Sequence, residues 1–411
     1  MVMRFVRYFP ERRKARIRND SAAFWLAQFG QIFDNRQVIV LLSLLSIAAW
    51  VYLIGFHGSF WSSSPELGAG APFGAAKVVA IVPARDEAAH IRRSIGSLLA
   101  QDYPGEFSVV LVDDNSTDGT AAIAASLDGG ARLGIVAGQP LPPGWSGKLW
   151  AVHQGLAQPE AQAADFLLLT DADIEHASGH LSSLVAKAES AHFDLVSEMV
   201  RLHCDTPVER ALIPAFIFFF QMLYPFAWVA DPDRGVAAAA GGTILVARAA
   251  IERIEGVSRI RGELIDDCAL ARAIKSTGGR IWLGHSARAW SIRVYRHSSQ
   301  IWDMIARTAY VQLGCSPLML LGCLAGMGLL YSAPPLLAIC AHGLARLLGL
   351  LAWAAMALAF QPTLRRYRLT PFWGAALPLI ALFYLGATLA SAIGHHAGRG
   401  GGWKNRVYPA L

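Results

Sequence analysis

The residues able to do chemistry in this chain are acids, and they come in short clusters. Asp113 and Asp114 open the run Asp113-Asp114-Asn115-Ser116-Thr117-Asp118, Asp171 and Asp173 flank one alanine, and Asp266 and Asp267 are adjacent. Carboxylates this close repel unless a cation or a proton compensates. Asp171 and Asp173 can share one hard cation, with Ala172 leaving it space. Mg2+ or Mn2+ completed by phosphate oxygens is the natural occupant. No Walker A loop and no G-x-G-x-x-G follows the first apolar run. Lys148, in Gly144-Trp145-Ser146-Gly147-Lys148, could reach a phosphate; a solvated loop lysine is the plainer alternative. The pattern suits a nucleotide diphosphate held by carboxylates and metal, without a phosphate-cradling loop. Asp and Ser also cap helices and build turns. That is the preferred reading for Ser116, Thr117 and Asp118, and it stays open for Asp266 and Asp267 ahead of 268–274.

Such clusters work only if the fold gathers them. Residues 77–83 (KVVAIVP) form a short apolar run rich in β-branched residues, which predicts a buried strand. Ile91, Ile95, Leu98 and Leu99 mark a helical stripe over 88–100. Further strands are expected at 107–112, 133–136 and 166–170, with a second helix from 118 to 126. Alternating strands and helices give a mostly parallel sheet covered on both faces, an α/β architecture. Ligands bind at the carboxyl ends of such strands. Pro83-Ala84-Arg85-Asp86-Glu87 and the clusters at 113–118 and 171–173 each directly follow an expected strand.

Composition adds a membrane. Hydrophobic residues make up 54% and charged residues 16% of the 411, and the net charge is only +6. Soluble domains carry about 25% charge. No basic stripe with interleaved aromatics points to nucleic acid. The five cysteines show no paired spacing and read as small buried hydrophobes. A crossing helix needs about 20 apolar residues. One span is expected at 37–57 and about three between 315 and 394. Among these, Ser332-Ala333-Pro334-Pro335 is read as a break, and Arg346 either snorkels or faces the bundle. The apolar run 211–230 contains Pro214 and Pro225 and reads as a helix in the membrane interface, aromatic side down. A basic tail covers 1–36 and a short tail 395–411. The charges conflict over topology. Arg4, Arg7, Arg12, Arg13, Lys14, Arg16 and Arg18 place the first tail in the cytoplasm, whereas Arg365, Arg366 and Arg368 place the middle domain there.

The motifs of residues 77–311 resemble the family 2 glycosyltransferases, which have the GT-A fold. The opening strand with P-x-x-N-E appears as Ile81 to Glu87, with Asp86 in place of Asn. V-D-D-x-S-x-D-G-T is intact from Val112 to Thr120. G-K-x-x-A is Gly147 to Ala151, D-x-D is Asp171 to Asp173, and an acceptor-side turn is Gly241-Gly242-Thr243. The E-D pair is Asp266-Asp267. The resemblance implies that Asp113 and Asp114 hold base and ribose, and that Pro83, Glu87, Lys148, Asp171 and Arg307 belong to the donor site. It further implies that Asp173 binds metal with Asp171, and that Asp267 is the catalytic base beside Asp266. In the Q-x-x-R-W motif of polymer-forming members only Arg307 survives; Met304 and Thr308 stand at the Gln and Trp positions, which disfavours polymer synthesis. More narrowly, Trp145 to Ala151, Ala306 to Tyr310 and Trp403 to Tyr408 resemble the bacterial hopanoid-biosynthesis-associated glycosyltransferases.

The expected chemistry is inverting transfer of a sugar from a nucleotide sugar, UDP-linked by resemblance, to a membrane lipid such as a hopanoid. Nucleotide sugars are cytosolic, so the catalytic domain is expected on the cytoplasmic face of the bacterial inner membrane. Two rivals remain at this level: a lipid-linked nucleotidyl or phosphoryl transferase on the same metal site, and a scaffold that kept the fold.

Overall fold

The computed structural model describes residues 36–398 and the backbone of a short strand pair, Gly402–Trp403 with Arg406–Val407. The basic tail over 1–35 and the side chains of the 403–408 motif lie outside the described residues. The strands in chain order are β1 (Val78–Ala84), β2 (Phe107–Asp113), β3 (Leu133–Ala137), β4 (Phe166–Thr170), β5 (Ile174–His176), β6 (Leu195–Arg201), β7 (Thr243–Ala247) and β8 (Ile281–Ser291). They form one sheet in the order β3-β2-β1-β4-β7-β6-β8-β5. The apolar β1 is buried along its whole length, as a central strand covered on both faces must be. It pairs in parallel with β2 and β4, and β2 with β3.

The sheet is mostly parallel, as expected, with two strands reversed. β6 and β8 are parallel, but β7 runs against both β4 and β6, and β5 against β8. The chain reaches β7 after an excursion over 207–242 and enters it from the opposite end, so no crossover helix is needed. Helix Gly147–Leu156 covers β1 and β2. A Cβ at Gly155 would stand 2.5 Å from Ile81 Cγ2. Glycine there brings the helix to backbone contact with the sheet and draws Lys148, in its first turn, down to the strand ends.

Among the described residues, four helices are long and apolar enough to cross a membrane: Arg36–Phe56, Pro317–Cys340, Gly343–Arg366 and Trp373–His396. The break expected at 332–335 is instead a π turn, Gly328–Ser332, inside one continuous helix; the chain turns at Ala341-His342. A π turn disturbs the regular carbonyl ladder, and its freed carbonyls need other donors. The first helix supplies them: Ser46 Oγ donates to Leu329 O (3.0 Å) and Trp50 Nε1 to Leu330 O (2.9 Å). Arg346 is exposed in the first turn of its helix, where it can snorkel.

The run 211–230 forms helix Pro207–Leu223, a break at Tyr224-Pro225, and helix Phe226–Ala230. Its aromatic face does not point outward as expected. Phe218 packs on Phe60 and Phe360 (5.2 and 5.1 Å between ring centres), and Phe219 on Tyr331 and Tyr384 (5.4 and 4.9 Å). The helix therefore joins the sheet domain to the apolar helices. A capping box fixes its start: Thr206 Oγ1 accepts from Glu209 N, and Glu209 Oε2 accepts from Thr206 N. Glu209 is fully buried and also takes Tyr295 N (2.6 Å), pinning the helix to the segment after β8. Glu209→Ala strands these donors at about 1–3 kcal/mol for each buried unsatisfied group. Thr206→Ala, which loses only the cap, costs about 1 kcal/mol. Thermal unfolding in detergent should therefore give Glu209→Ala clearly the lower midpoint; equal midpoints would refute this linking role.

Candidate active site

Two strand ends and the start of a helix meet in a cavity of about 1010 Å³. Pro83 lies near the end of β1 and Glu87 after it, Asp171 and Asp173 follow β4, and Asp266 and Asp267 occupy the first turn of helix Asp266–Ser276. All six line it, with Lys148 and Arg307. Asp113 and Asp114 do not line it; they lie at the end of β2, beside the β1 end. Asp114 is buried, and its carbonyl accepts from Arg85 Nη1 (2.6 Å). Asp113 Oδ1 and Arg85 Nε are buried polar atoms with no hydrogen-bond partner among the described residues.

Lys148 is no solvated loop residue. Ser146 caps its helix, accepting from Leu149 N, and the Lys148 ammonium lies 2.8 Å from Asp171 Oδ1 and 3.2 Å from Asp266 Oδ2. Burial alone would lower its pKa; Asp171 and Asp266 outweigh that and hold it protonated. Asp171 is pushed up, by burial first and by the charges of Asp173 and Asp266, against the pull of Lys148. Asp267 accepts Gly241 N at Oδ2 (2.8 Å) and Cys268 N at Oδ1 (2.7 Å), so backbone donors fix its orientation. Burial, then the charge of Asp266, pushes its pKa up to about 6, with Lys148 opposing. A Cβ at Gly241 would lie 3.3 Å from Asp267 Oδ2 and 3.2 Å from Lys148 Nζ. Glycine thus lets the turn approach its acid.

Arg293 was missed by the sequence reading. It lies two residues after the end of β8, and its Nε donates to Asp173 Oδ2 (2.7 Å) and its Nη2 to Glu87 Oε1 (2.5 Å). The strand-end rule that found the acids would have found it too, had residues 281–291 been read as a strand. Glu87 Oε2 in turn holds His90 Nδ1 (2.9 Å), so both carboxylate oxygens of Glu87 are engaged by protein. Asp171 Oδ2 and Asp173 Oδ1 have no partner among the described residues. Arg307 is exposed at the end of helix Ser298–Ala306 and lines the same cavity.

Ser116, Thr117 and Asp118 act structurally, as their plainer reading expected. Ser116 Oγ accepts Asp86 N (3.0 Å), Asp86 Oδ1 accepts Thr117 N (2.9 Å), and Asp118 Oδ2 accepts Ala88 N (2.8 Å). Asp86 has φ 50°, a left-handed conformation that Asn and Asp tolerate, which accounts for Asp at a position where Asn is common. Thr170 was also missed. Its Oγ1 donates to Gly242 O (2.8 Å) and lies 3.1 Å from His176 Nε2, tying the Asp171 loop to the Gly241 turn.

Residues 79–254 match the family model described as Glycosyl transferase family 2. Comparison with curated proteins found no match. Among solved structures, the mannosyltransferase PcManGT from Pyrobaculum calidifontis, in complex with GDP-Man and Mn2+, aligns over 86% of this chain and 98% of its own. The TM-score is 0.52 at 21% identity. S. aureus TarS 1–349 in complex with UDP-GlcNAc aligns at TM-score 0.36 and 15% identity, over 79% of this chain and 92% of its own. Glucosyl-3-phosphoglycerate synthase from Mycobacterium tuberculosis, in complex with Mn2+ and UDP-Glc, gives 0.37 at 18% identity, over 58% and 79%. At these identities the likeness is one of fold, and it rests on the first of the three. Residues 79–254 therefore match a glycosyl transferase family 2 model on a GT-A sheet, and among the described residues one N-terminal and three C-terminal helices are long and apolar enough to span a membrane.

Proposed function

We propose that this protein is an inverting glycosyltransferase that moves a sugar from a nucleoside-diphosphate sugar, UDP-linked in the first instance, to a hydroxyl of a membrane lipid. The hopanoid class follows from the motif resemblance, and the cytoplasmic face of the bacterial inner membrane from the location of nucleotide sugars. One observation carries the reading. The cavity that holds Asp171, Asp173 and Asp267 continues past Phe216 and Phe220 to Ala390, Ser391 and Gly394 of the last apolar helix. A lipid whose body stays among apolar helices could therefore present its head at Asp267.

At the other end Arg85 lines the cavity, with Asp113 behind it, and the unpartnered Arg85 Nε and Asp113 Oδ1 are polar groups of the kind a nucleoside edge engages. The open oxygens of Asp171 and Asp173 suit Mg2+ or Mn2+, completed by diphosphate oxygens. Bound there, the cation supplies Lewis-acid stabilisation of the leaving diphosphate. Lys148, held protonated, and the exposed Arg307 add positive charge beside the same group. Asp267, oriented by two backbone N–H groups, takes the proton of the acceptor hydroxyl. That oxygen forms its bond to the anomeric carbon as the bond to the diphosphate breaks. One base with no positioned nucleophile gives a single displacement and inversion.

The test uses full-length protein in detergent with Mn2+ or Mg2+, a panel of nucleotide sugars and a polar lipid extract. Nucleoside diphosphate release should require lipid and metal, add one sugar mass to a lipid, and vanish in Asp267→Asn and Asp173→Ala. Release of pyrophosphate would replace this reading with nucleotidyl transfer, and full turnover without lipid would refute the lipid acceptor. The pH profile checks the base separately. A protonated Asp267 cannot accept, so kcat/KM should fall below pH about 6, by about tenfold per unit. Asp266→Asn removes a charge that raises the Asp267 pKa, so the acid limb should move to lower pH. An unmoved limb would exclude Asp267 as the titrating base.

A further inference from the structure

The helix Trp373–His396 has the length to cross a bilayer, but its neighbours place both of its ends at one level. The other three apolar helices define two ends of a bundle. Their domain-side ends are Phe56, which leads into the sheet domain, Pro317, which leaves it, and the turn after Ala359. Arg366 fixes that turn to the domain, donating to Ser63 O (3.1 Å) and pairing with Glu66 (2.7 Å). Their far ends meet where Ile39 packs with Leu337, Ala341 and Ala345.

The first turn of Trp373–His396 sits at the domain-side end of the third helix. Gly374 lies against Ala357 and Gln361, and Ala375 O accepts from Trp353 Nε1 (3.2 Å). Its middle lies on the domain: Tyr384 Oη donates to Leu212 O (2.8 Å), and Phe383 packs on Trp302 (5.1 Å between ring centres). Its end returns to the start of the second apolar helix, where Ser391 Oγ accepts Tyr310 N (3.0 Å) and His395 approaches Cys315. A helix with both ends on the domain side has not crossed.

Its exposure agrees. Leu379, Leu382, Leu389 and Ile393 form one exposed stripe at helical spacing, whereas Leu377, Ile380, Ala381, Tyr384 and Ala387 are buried against protein. Exposed Arg365 and Arg368 precede the helix and His396 ends it, groups suited to the headgroup level.

We infer that Trp373–His396 lies along the bilayer surface on the side of the sheet domain, sunk into that leaflet by its leucine and isoleucine stripe, so that three helices span the membrane. This rests on the membrane reading above. It makes the helix one wall of the cavity, through Ala390, Ser391 and Gly394. A lipid head would then enter along the leaflet, between this helix and Phe216 and Phe220.

Cysteine mapping tests it, in full-length chain lacking its five native cysteines and held in sealed vesicles of one orientation. Thr370→Cys, Ala397→Cys and His342→Cys are all at exposed positions. An impermeant thiol reagent should label Thr370→Cys and Ala397→Cys from the same side, and His342→Cys only from the other. Labelling of Ala397→Cys with His342→Cys, opposite Thr370→Cys, would mean that the helix crosses and would overturn the inference alone. Labelling of all three from one side, with protein released by alkaline washing, would overturn the membrane reading as well.

Discussion

Charge compensation at one sheet edge is the constraint from which the rest of the site follows. Asp171, Asp173, Asp266 and Asp267 converge there, and four carboxylates in a largely buried place cannot all stay ionised without positive partners. Lys148 bridges Asp171 and Asp266, and Arg293 bridges Asp173 and Glu87. Each cation arrives on a regular element. Lys148 reaches the edge because Gly155 lets its helix touch the sheet, and Arg293 because β8 delivers it just past its last residue. Asp267 alone has no cation on its oxygens. Backbone donors hold it while burial and Asp266 lift its pKa, so its surroundings set it apart from the other three acids.

The loops that carry these acids are held by a buried polar chain. The Thr170 hydroxyl donates to Gly242 O, so it must accept from His176 Nε2. Burial, reinforced by neighbouring His180, holds His176 well below its ordinary pKa. As a neutral ring protonated on Nε2, it accepts at Nδ1 from His180, which pairs through Nε2 with fully buried Glu198. The Asp171 loop and the Gly241 turn therefore move as one body, and with them Asp171 and the backbone donor to Asp267. A side-chain network of this kind fixes geometry where a strand ladder has ended.

The join to the apolar helices obeys the same logic of satisfied polar groups among packed apolar ones. Glu209 gathers the backbone donors at the start of Pro207–Leu223, and the aromatic face of that helix then packs between sheet domain and helices. The cavity wall contributed by Phe216 and Phe220 is thus rigidly set against the acids, which lets a single space reach from one to the other.

Strand runs such as 166–170 and the acids at strand ends were legible in the sequence because each depends on local order: an apolar run long enough to be buried, followed by groups that must sit at its carboxyl end. The same holds for the apolar helices, whose lengths follow from composition. Tertiary structure alone decided the reversal of β7 and β5, the pairing of Arg293 with Asp173 across 120 residues of chain, and the inward turn of the aromatic face at Phe218 and Phe219. It also decided that Asp113 and Asp114 stand behind the cavity, and that the last helix returns to the level from which it started. These depend on which surfaces meet, and hydrophobic patterning reports only that a face must be covered, never by what.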